Sequence, residues 1–205
     1  MDICAQILPT SMQIDYAIFD FINQSLAHPW LDAVLPTYRE KTTWIPLYLV
    51  LVVLLLREYG WRSTLRLLLC VGVAIAVADQ LAASVLKPWV GRLRPCADAS
   101  IADQARILVS CGGQYSFPSN HATNHFALAQ VLAMTWLVGK PRTFTFLLYG
   151  WAASISLAQV YVGKHFPADI FFGALLGITI ACLVVLAGRR WLRGLPGNPA
   201  DVRVE

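Results

Sequence analysis

Five apolar stretches dominate the chain. Trp44 to Leu56 runs unbroken to Arg57-Glu58 and extends back toward Lys41. Leu67 to Leu86 is interrupted only by Asp79-Gln80. Ala122 to Val138 ends at Gly139-Lys140-Pro141-Arg142, Phe144 to Val162 follows, and Ile170 to Ala187 closes at Gly188-Arg189-Arg190. None alternates with a period of two, and all are too long for strands, so the pattern predicts helices. Their lengths approach the ~20 residues that cross a ~30 Å hydrocarbon layer. Residues 14–36 are different. Ile14, Ile18, Phe21, Ile22 and Leu26 share the stretch with Asp15, Asp20 and Asp32, which predicts an amphipathic helix at the membrane surface, with a poor sixth span as the alternative.

The predicted fold class is therefore an all-α integral membrane protein of five to six spans. It forms one domain over 1–205, with an interfacial N-terminal region at 1–40, a transmembrane bundle at 41–190 and a tail at 191–205. Composition agrees. Charged residues are 14% of the 205 and apolar residues 57%, with mean hydropathy +0.57, against about 25% charged in soluble domains. This excludes a disordered chain, a nucleic-acid-binding arm and an ordinary cytosolic enzyme. The first ten residues carry Asp2 and no basic stretch, unlike a signal peptide.

Charge orients the bundle. Arg57, Arg62 and Arg66, then Lys140 and Arg142, then Arg189, Arg190 and Arg193 fall on one side if the spans alternate. The positive-inside rule makes that side cytoplasmic, and with it the C-terminus. Residues 87–119 and 164–165 then share the outer face, yet hold Lys87, Arg92, Arg94, Arg106 and Lys164. Cations against the charge trend fit an anion site. Lys87 offers a point charge and Arg94 a planar fork for phosphate oxygens. Ser119 and the N–H groups of Asn120 and His121 stand at a helix N-terminus, where free donors meet the positive end of the dipole. His165 and Asp169 are four apart, on one helical face. A carboxylate on one imidazole nitrogen leaves the other free to attack, and His121 is placed to protonate a leaving oxygen.

These clusters resemble the type 2 phosphatidic acid phosphatase (PAP2) superfamily, whose pattern is Lys-x6-Arg-Pro, Pro-Ser-Gly-His and Ser-Arg-x5-His-x3-Asp. Lys87 to Pro95 matches the first, Pro118-Ser119-Asn120-His121 the second with Asn for Gly, and His165 with Asp169 the end of the third. The resemblance implies a lipid phosphatase with His165 as nucleophile, Asp169 orienting it and His121 as general acid. Lys87, Arg94, Ser119 and the Asn120 backbone would bind phosphoryl oxygens. It implies no metal or other cofactor, a lipid phosphate as substrate, membrane lipids as surroundings, and neither nucleic acid nor an obligatory protein partner. The candidates are undecaprenyl pyrophosphate, phosphatidylglycerophosphate and phosphatidate. A phosphotransferase with the same intermediate and a catalytically impaired binding or transport protein are the rival readings.

One departure stands out. The third motif begins Ala158-Gln159 where the family has Ser-Arg. Gln159 keeps a donor at that position but no charge, and Arg92 and Lys164 are the nearest cations in sequence to compensate. His121 and His125 are spaced as a metal-binding pair, without the intervening Glu of a zinc protease. Asp79 has either a functional role or a structural hydrogen bond. Cys96 and Cys111 both fall in the outer segment, where disulfides persist, and a bridge between them would tie the first two motifs together. Cys4, Cys70 and Cys182 are expected to be unpaired.

Overall fold

The computed structural model describes residues 10–192. The expectations for the first nine residues, Cys4 included, and for the tail from Arg193 fall outside them. The described residues form seven α-helices and no β-strand: α1 (Thr10–Asp20), α2 (Pro29–Tyr38), α3 (Ile45–Gln80), α4 (Lys87–Val90), α5 (Asn120–Met134), α6 (Arg142–Tyr161) and α7 (Pro167–Gly188). Wider turns at Phe21–Ser25 and Leu81–Leu86 join α1 toward α2 and α3 to α4.

Among the described residues three stretches are long and apolar enough to cross a membrane: Lys41–Val90, Arg142–Tyr161 and Pro167–Gly188. Their outward faces carry Leu49, Val53, Phe146, Leu147, Phe171 and Leu183, all exposed, as lipid-facing positions should be. The chain is an integral membrane protein. The first stretch contains two of the expected spans. At Gly60 the backbone has φ 71°, ψ 172°, a left-handed conformation that glycine adopts without a Cβ penalty. Tyr48 and Asp79, on either side of it, line one cavity. A straight helix would hold them about 46 Å apart at 1.5 Å per residue, so the chain folds back at Gly60. The expected connection at 57–66 is helical apart from this one residue.

The third expected span is shorter than its apolar run. Thr135, at φ −125°, ψ −76°, ends α5 after 15 residues. Helix α5 is the core of the bundle, with Ala122, Thr123, Ala127, Ala129, Val131 and Leu132 buried around its circumference. Helix α7 lies directly on it. A Cβ on Gly177 would fall 2.2 Å from the Thr123 carbonyl oxygen, so only glycine permits this approach, as small residues commonly do between membrane helices. Leu55, Leu67, Cys70 and Ala74 of α3 pack on the same core with Ala181 and Val185.

Helices α1 and α2 have 11 and 10 residues, roughly 15–17 Å of helix and half a hydrocarbon thickness. Neither crosses a membrane alone. Their polar groups bind the rest of the protein. Asp15 accepts from the Ala168 N–H at 2.7 Å, Asn23 donates to the Tyr161 carbonyl at 2.8 Å, and Asp32 accepts from the Tyr161 hydroxyl at 2.6 Å. Arg106, from the segment between α4 and α5, pairs with Asp32. The acidic residues of the N-terminal arm thus fasten it over the ends of α6 and α7.

Candidate active site

The site assembles at three helix ends. The first motif runs through α4 into the following loop. That loop is held to the second motif by paired backbone bonds, Arg94 N–H to the Gln114 carbonyl at 3.1 Å and Ser116 N–H to the Arg92 carbonyl at 2.8 Å. A Cys96–Cys111 disulfide closes the segment, with the Cα atoms 6.2 Å apart. Cys70 and Cys182 are free.

Lys87 donates to the Ser116 and Pro118 carbonyls at 3.0 and 2.7 Å. This fixes its ammonium beside the start of α5 and leaves one of its three N–H groups. Ser119 precedes that helix in extended conformation, and its hydroxyl does not cap it. The first backbone bond of α5 is Thr123 N–H to the Ser119 carbonyl, so the N–H groups of Asn120 and His121 precede the helix ladder, as unpaired first-turn donors do. The Asn120 side chain turns the other way. With Asn124 it donates to Asp79 at 2.8 Å, giving Asp79 a structural role between α3 and α5.

Helix α7 opens with Pro167 at a position that needs no N–H donor. Asp169 then accepts from the Phe166 N–H at 2.9 Å, capping its own helix. The Asp169 carbonyl accepts from Ser119 N–H at 2.9 Å, which joins the third motif to the second. His165 Nδ1 lies 3.4 Å from Asp169 Oδ2, at the outer edge of hydrogen-bonding distance. Nδ1 faces a carboxylate, so it carries the proton and Nε2 keeps its lone pair. His165 is 3% exposed and Asp169 is fully buried.

Electrostatics favour a neutral His165. Burial, reinforced by Arg94 and Lys87 and opposed by Asp169, pushes its imidazole down to about 4. As pH falls through 6.5, the ordinary value, the side chain stays neutral and takes a proton only near 4. We expect histidine ¹⁵N NMR, with His165 assigned by His165→Gln, to show a neutral ring at about pH 5.5, where an ordinary histidine is mostly charged. A ring that titrates near 6.5 would contradict this environment.

Arg94 donates to the Lys164 carbonyl at 3.3 Å, and its Nε, buried, has no partner. The Ser119 hydroxyl and the Gln159 amide nitrogen are likewise buried and unpartnered. Buried donors without partners are uncommon, and these three belong to residues bonded to the turn of His165 and Asp169: Arg94 to the Lys164 carbonyl, Ser119 N–H to the Asp169 carbonyl, and the Gln159 carbonyl to the His165 N–H. Such donors fit the oxygens of a phosphoryl group.

Of the two cations expected to replace the missing arginine, Arg92 does not. Its guanidinium is bound to Asp169 Oδ1 at 3.0 Å and to Asp15, and lies 4.0 Å over the Phe166 ring. It binds the Asp169 oxygen that His165 does not, and two carboxylates already match its charge. Lys164 is bonded into the turn of His165 through its backbone, to Arg94 by its carbonyl and to the Gln159 carbonyl by its N–H, and burial, then repulsion from Arg39 and Arg94, holds its ammonium below the ordinary value. Arg39, which the spacing of the motifs gives no reason to select, is buried here as well and donates to Gln159. The pair His121 and His125 is held by bonds of its own. His125 Nδ1 donates to the His121 carbonyl at 2.7 Å and its Nε2 lies 3.2 Å from the Tyr48 hydroxyl. Among the described residues no three His, Cys, Asp or Glu side chains gather as metal ligands.

His121 borders a cavity of about 540 Å³ between α3 and α5. It is lined by the polar Glu40, Lys41, Asp79 and Asn120 and by the apolar Leu51, Leu55, Val71, Ile75 and Leu132. From His121 to Leu132 it follows α5 for about 16 Å.

A sequence model described as the PAP2 superfamily matches residues 64–193. The lipid A 4′-phosphatase of Bacteroides thetaiotaomicron is 33% identical over 166 residues, 80% of this chain and 72% of that protein. Phosphatidylglycerophosphatase B of Bacillus subtilis is 27% identical over 168 residues, covering 78% of this chain and 76% of the relative. The crystal structure of a transmembrane PAP2-type phosphatidylglycerolphosphate phosphatase from B. subtilis superposes with TM-score 0.64 at 25% identity, over 93% of this chain and 92% of that one.

Proposed function

Because the chain belongs to the PAP2 superfamily, and so is a phosphatase acting on lipid phosphates, we propose that it hydrolyses a lipid phosphomonoester or pyrophosphate through a phosphohistidine on His165. The buried, unpartnered donors of Arg94, Ser119 and Gln159, three residues whose other bonds tie them to Lys164, Asp169 and His165, support this reading. His165 Nε2 attacks phosphorus in line. The P–N bond forms as the P–O bond to the lipid breaks, and His121 gives its proton to the departing oxygen. Lys87, Arg94, Ser119 and the first-turn N–H groups of α5 stabilise the charge on the equatorial oxygens. Water then attacks phosphorus while His121 takes its proton. The P–N bond breaks, and phosphate leaves with His165 neutral again.

The cavity beside His121 lies on the leaving-group side of this reaction, and its apolar lining suits an acyl or prenyl chain. Reaction takes place at the extracytoplasmic face, with the C-terminus in the cytoplasm. The lipid A carrying a 4′-phosphate in the relatives' names joins phosphatidate, phosphatidylglycerophosphate and undecaprenyl pyrophosphate as substrates to assay. Phosphate release from each in detergent, with no added acceptor and with or without chelator, tests the proposal. Release from at least one, indifferent to chelator, supports it. Transfer only to an added acceptor, or loss with chelator, counts against it.

A further inference from the structure

The arginines differ in burial and in how their charge is matched: Arg39 and Arg94 are buried, Arg92 and Arg106 only half-buried. Arg92 has Asp15 and Asp169, both buried, and Arg106 has Asp32. Arg39, 4% exposed and just after α2, has only Glu40, its neighbour in the chain, whose side chain is 43% exposed. A buried charge matched only by a half-exposed carboxylate is costly, so a guanidinium kept there in company with Arg94 and Lys164 has room for a further anion.

Its second contact says where. Arg39 NH1 donates to Gln159 Oε1 at 3.1 Å, and Gln159 is fully buried. A guanidinium has no acceptor, so this bond turns the amide carbonyl toward Arg39 and leaves the amide NH2 as a donor. Both that nitrogen and Arg39 Nε are buried without a partner. The Gln159 backbone carbonyl in turn accepts from the Lys164 and His165 N–H groups at 3.0 and 3.3 Å, so the residue that Arg39 meets lies against the turn that carries the nucleophile.

We propose that Arg39 is a phosphate-binding residue, a guanidinium delivered by the N-terminal arm across Gln159 in place of the arginine that the third motif lacks. Gln159 is its positioning residue and supplies one further neutral donor. Glu40 holds the guanidinium through NH2 and gives way to the more highly charged phosphate. The fastening of the arm by Asp15, Asn23 and Asp32 then has a purpose in the reaction: it fixes the segment that ends in Arg39.

The inference rests on the phosphate-site reading above, and orthovanadate, a phosphate mimic, separates the two. Its binding is measured by calorimetry in detergent, with melting temperature followed in parallel. Arg39→Ala is expected to weaken vanadate binding at least tenfold. Arg39→Ala/Gln159→Arg, which moves the guanidinium to the family's own position, is expected to recover most of it. Gln159→Arg alone sets two guanidinium groups side by side and binds no better than wild type. Glu40→Gln, at an exposed side chain with little folding risk, removes the competing carboxylate and is expected to tighten binding about threefold. Unchanged affinity in a folded Arg39→Ala overturns the proposal, as does a loss that the double variant leaves unrepaired at wild-type melting temperature. If Arg39→Ala does not fold, unchanged binding in Glu40→Gln overturns it. Wild-type protein indifferent to vanadate contradicts the phosphate-site reading itself.

Discussion

His165→Ala is expected to abolish phosphate release, by at least about 10⁴-fold, while the protein still folds. In the proposed mechanism the imidazole is the group that attacks phosphorus. Its backbone bond, His165 N–H to the Gln159 carbonyl at 3.3 Å, does not depend on the ring, so the turn that carries it should persist. His121→Ala should behave differently. Loss of a general acid typically costs ~10²–10⁴-fold, and the deficit should shrink when the leaving group is a weak base that needs no proton. Steady-state rates on a lipid phosphate and on an aryl phosphate, with melting temperatures for each variant, check both. Substantial turnover by folded His165→Ala removes the nucleophile assignment.

Asp169→Asn is expected to lower kcat by roughly 10³–10⁴-fold, as exchange of the orienting carboxylate does in triads of this logic. The carboxylate accepts from His165 Nδ1, the Phe166 N–H and Arg92. An amide of the same shape brings two N–H donors into a place where every neighbour donates. One of them will face Nδ1 and favour the tautomer with the proton on Nε2, which cannot attack. It also leaves Arg92 with Asp15 as its only carboxylate. Reduced kcat with wild-type vanadate affinity would mark the loss as one of nucleophile orientation. Weakened vanadate binding in equal proportion would instead point to a collapsed phosphate site.

The sequence was informative where chemistry is concentrated in short segments at helix mouths. His165 and Asp169 share a turn, and Lys87, Arg94 and Ser119 sit in stretches whose polarity breaks the surrounding apolar pattern. Alternation of spans is enough to bring such mouths to one face. Less legible was whatever depends on a distant partner. Arg92 reads as a spare phosphate contact because it neighbours Arg94, yet its charge is consumed by Asp15, some 77 positions away, and by Asp169. Arg39 is a single arginine ahead of an apolar run, and nothing in spacing announces that it meets Gln159, 120 residues on. Hydropathy also cannot tell a lipid-facing helix from one enclosed by protein, so α5 read as an ordinary span although its circumference is packed. The Arg57–Arg66 cluster marked the turn after the first span, but a glycine, not the charges, makes it.

The central claim is that phosphorus passes through His165, and trapping the phosphoenzyme tests it most directly. A ³²P-labelled lipid phosphate shown to be a substrate is mixed with enzyme, quenched in alkali within one turnover, and the labelled peptide is sequenced. The account predicts label on His165 that survives alkali and is lost in acid, as a phosphoramidate should be, and that disappears in His165→Ala. Label on another residue, or rapid turnover with no labelled histidine in the burst phase, would contradict it.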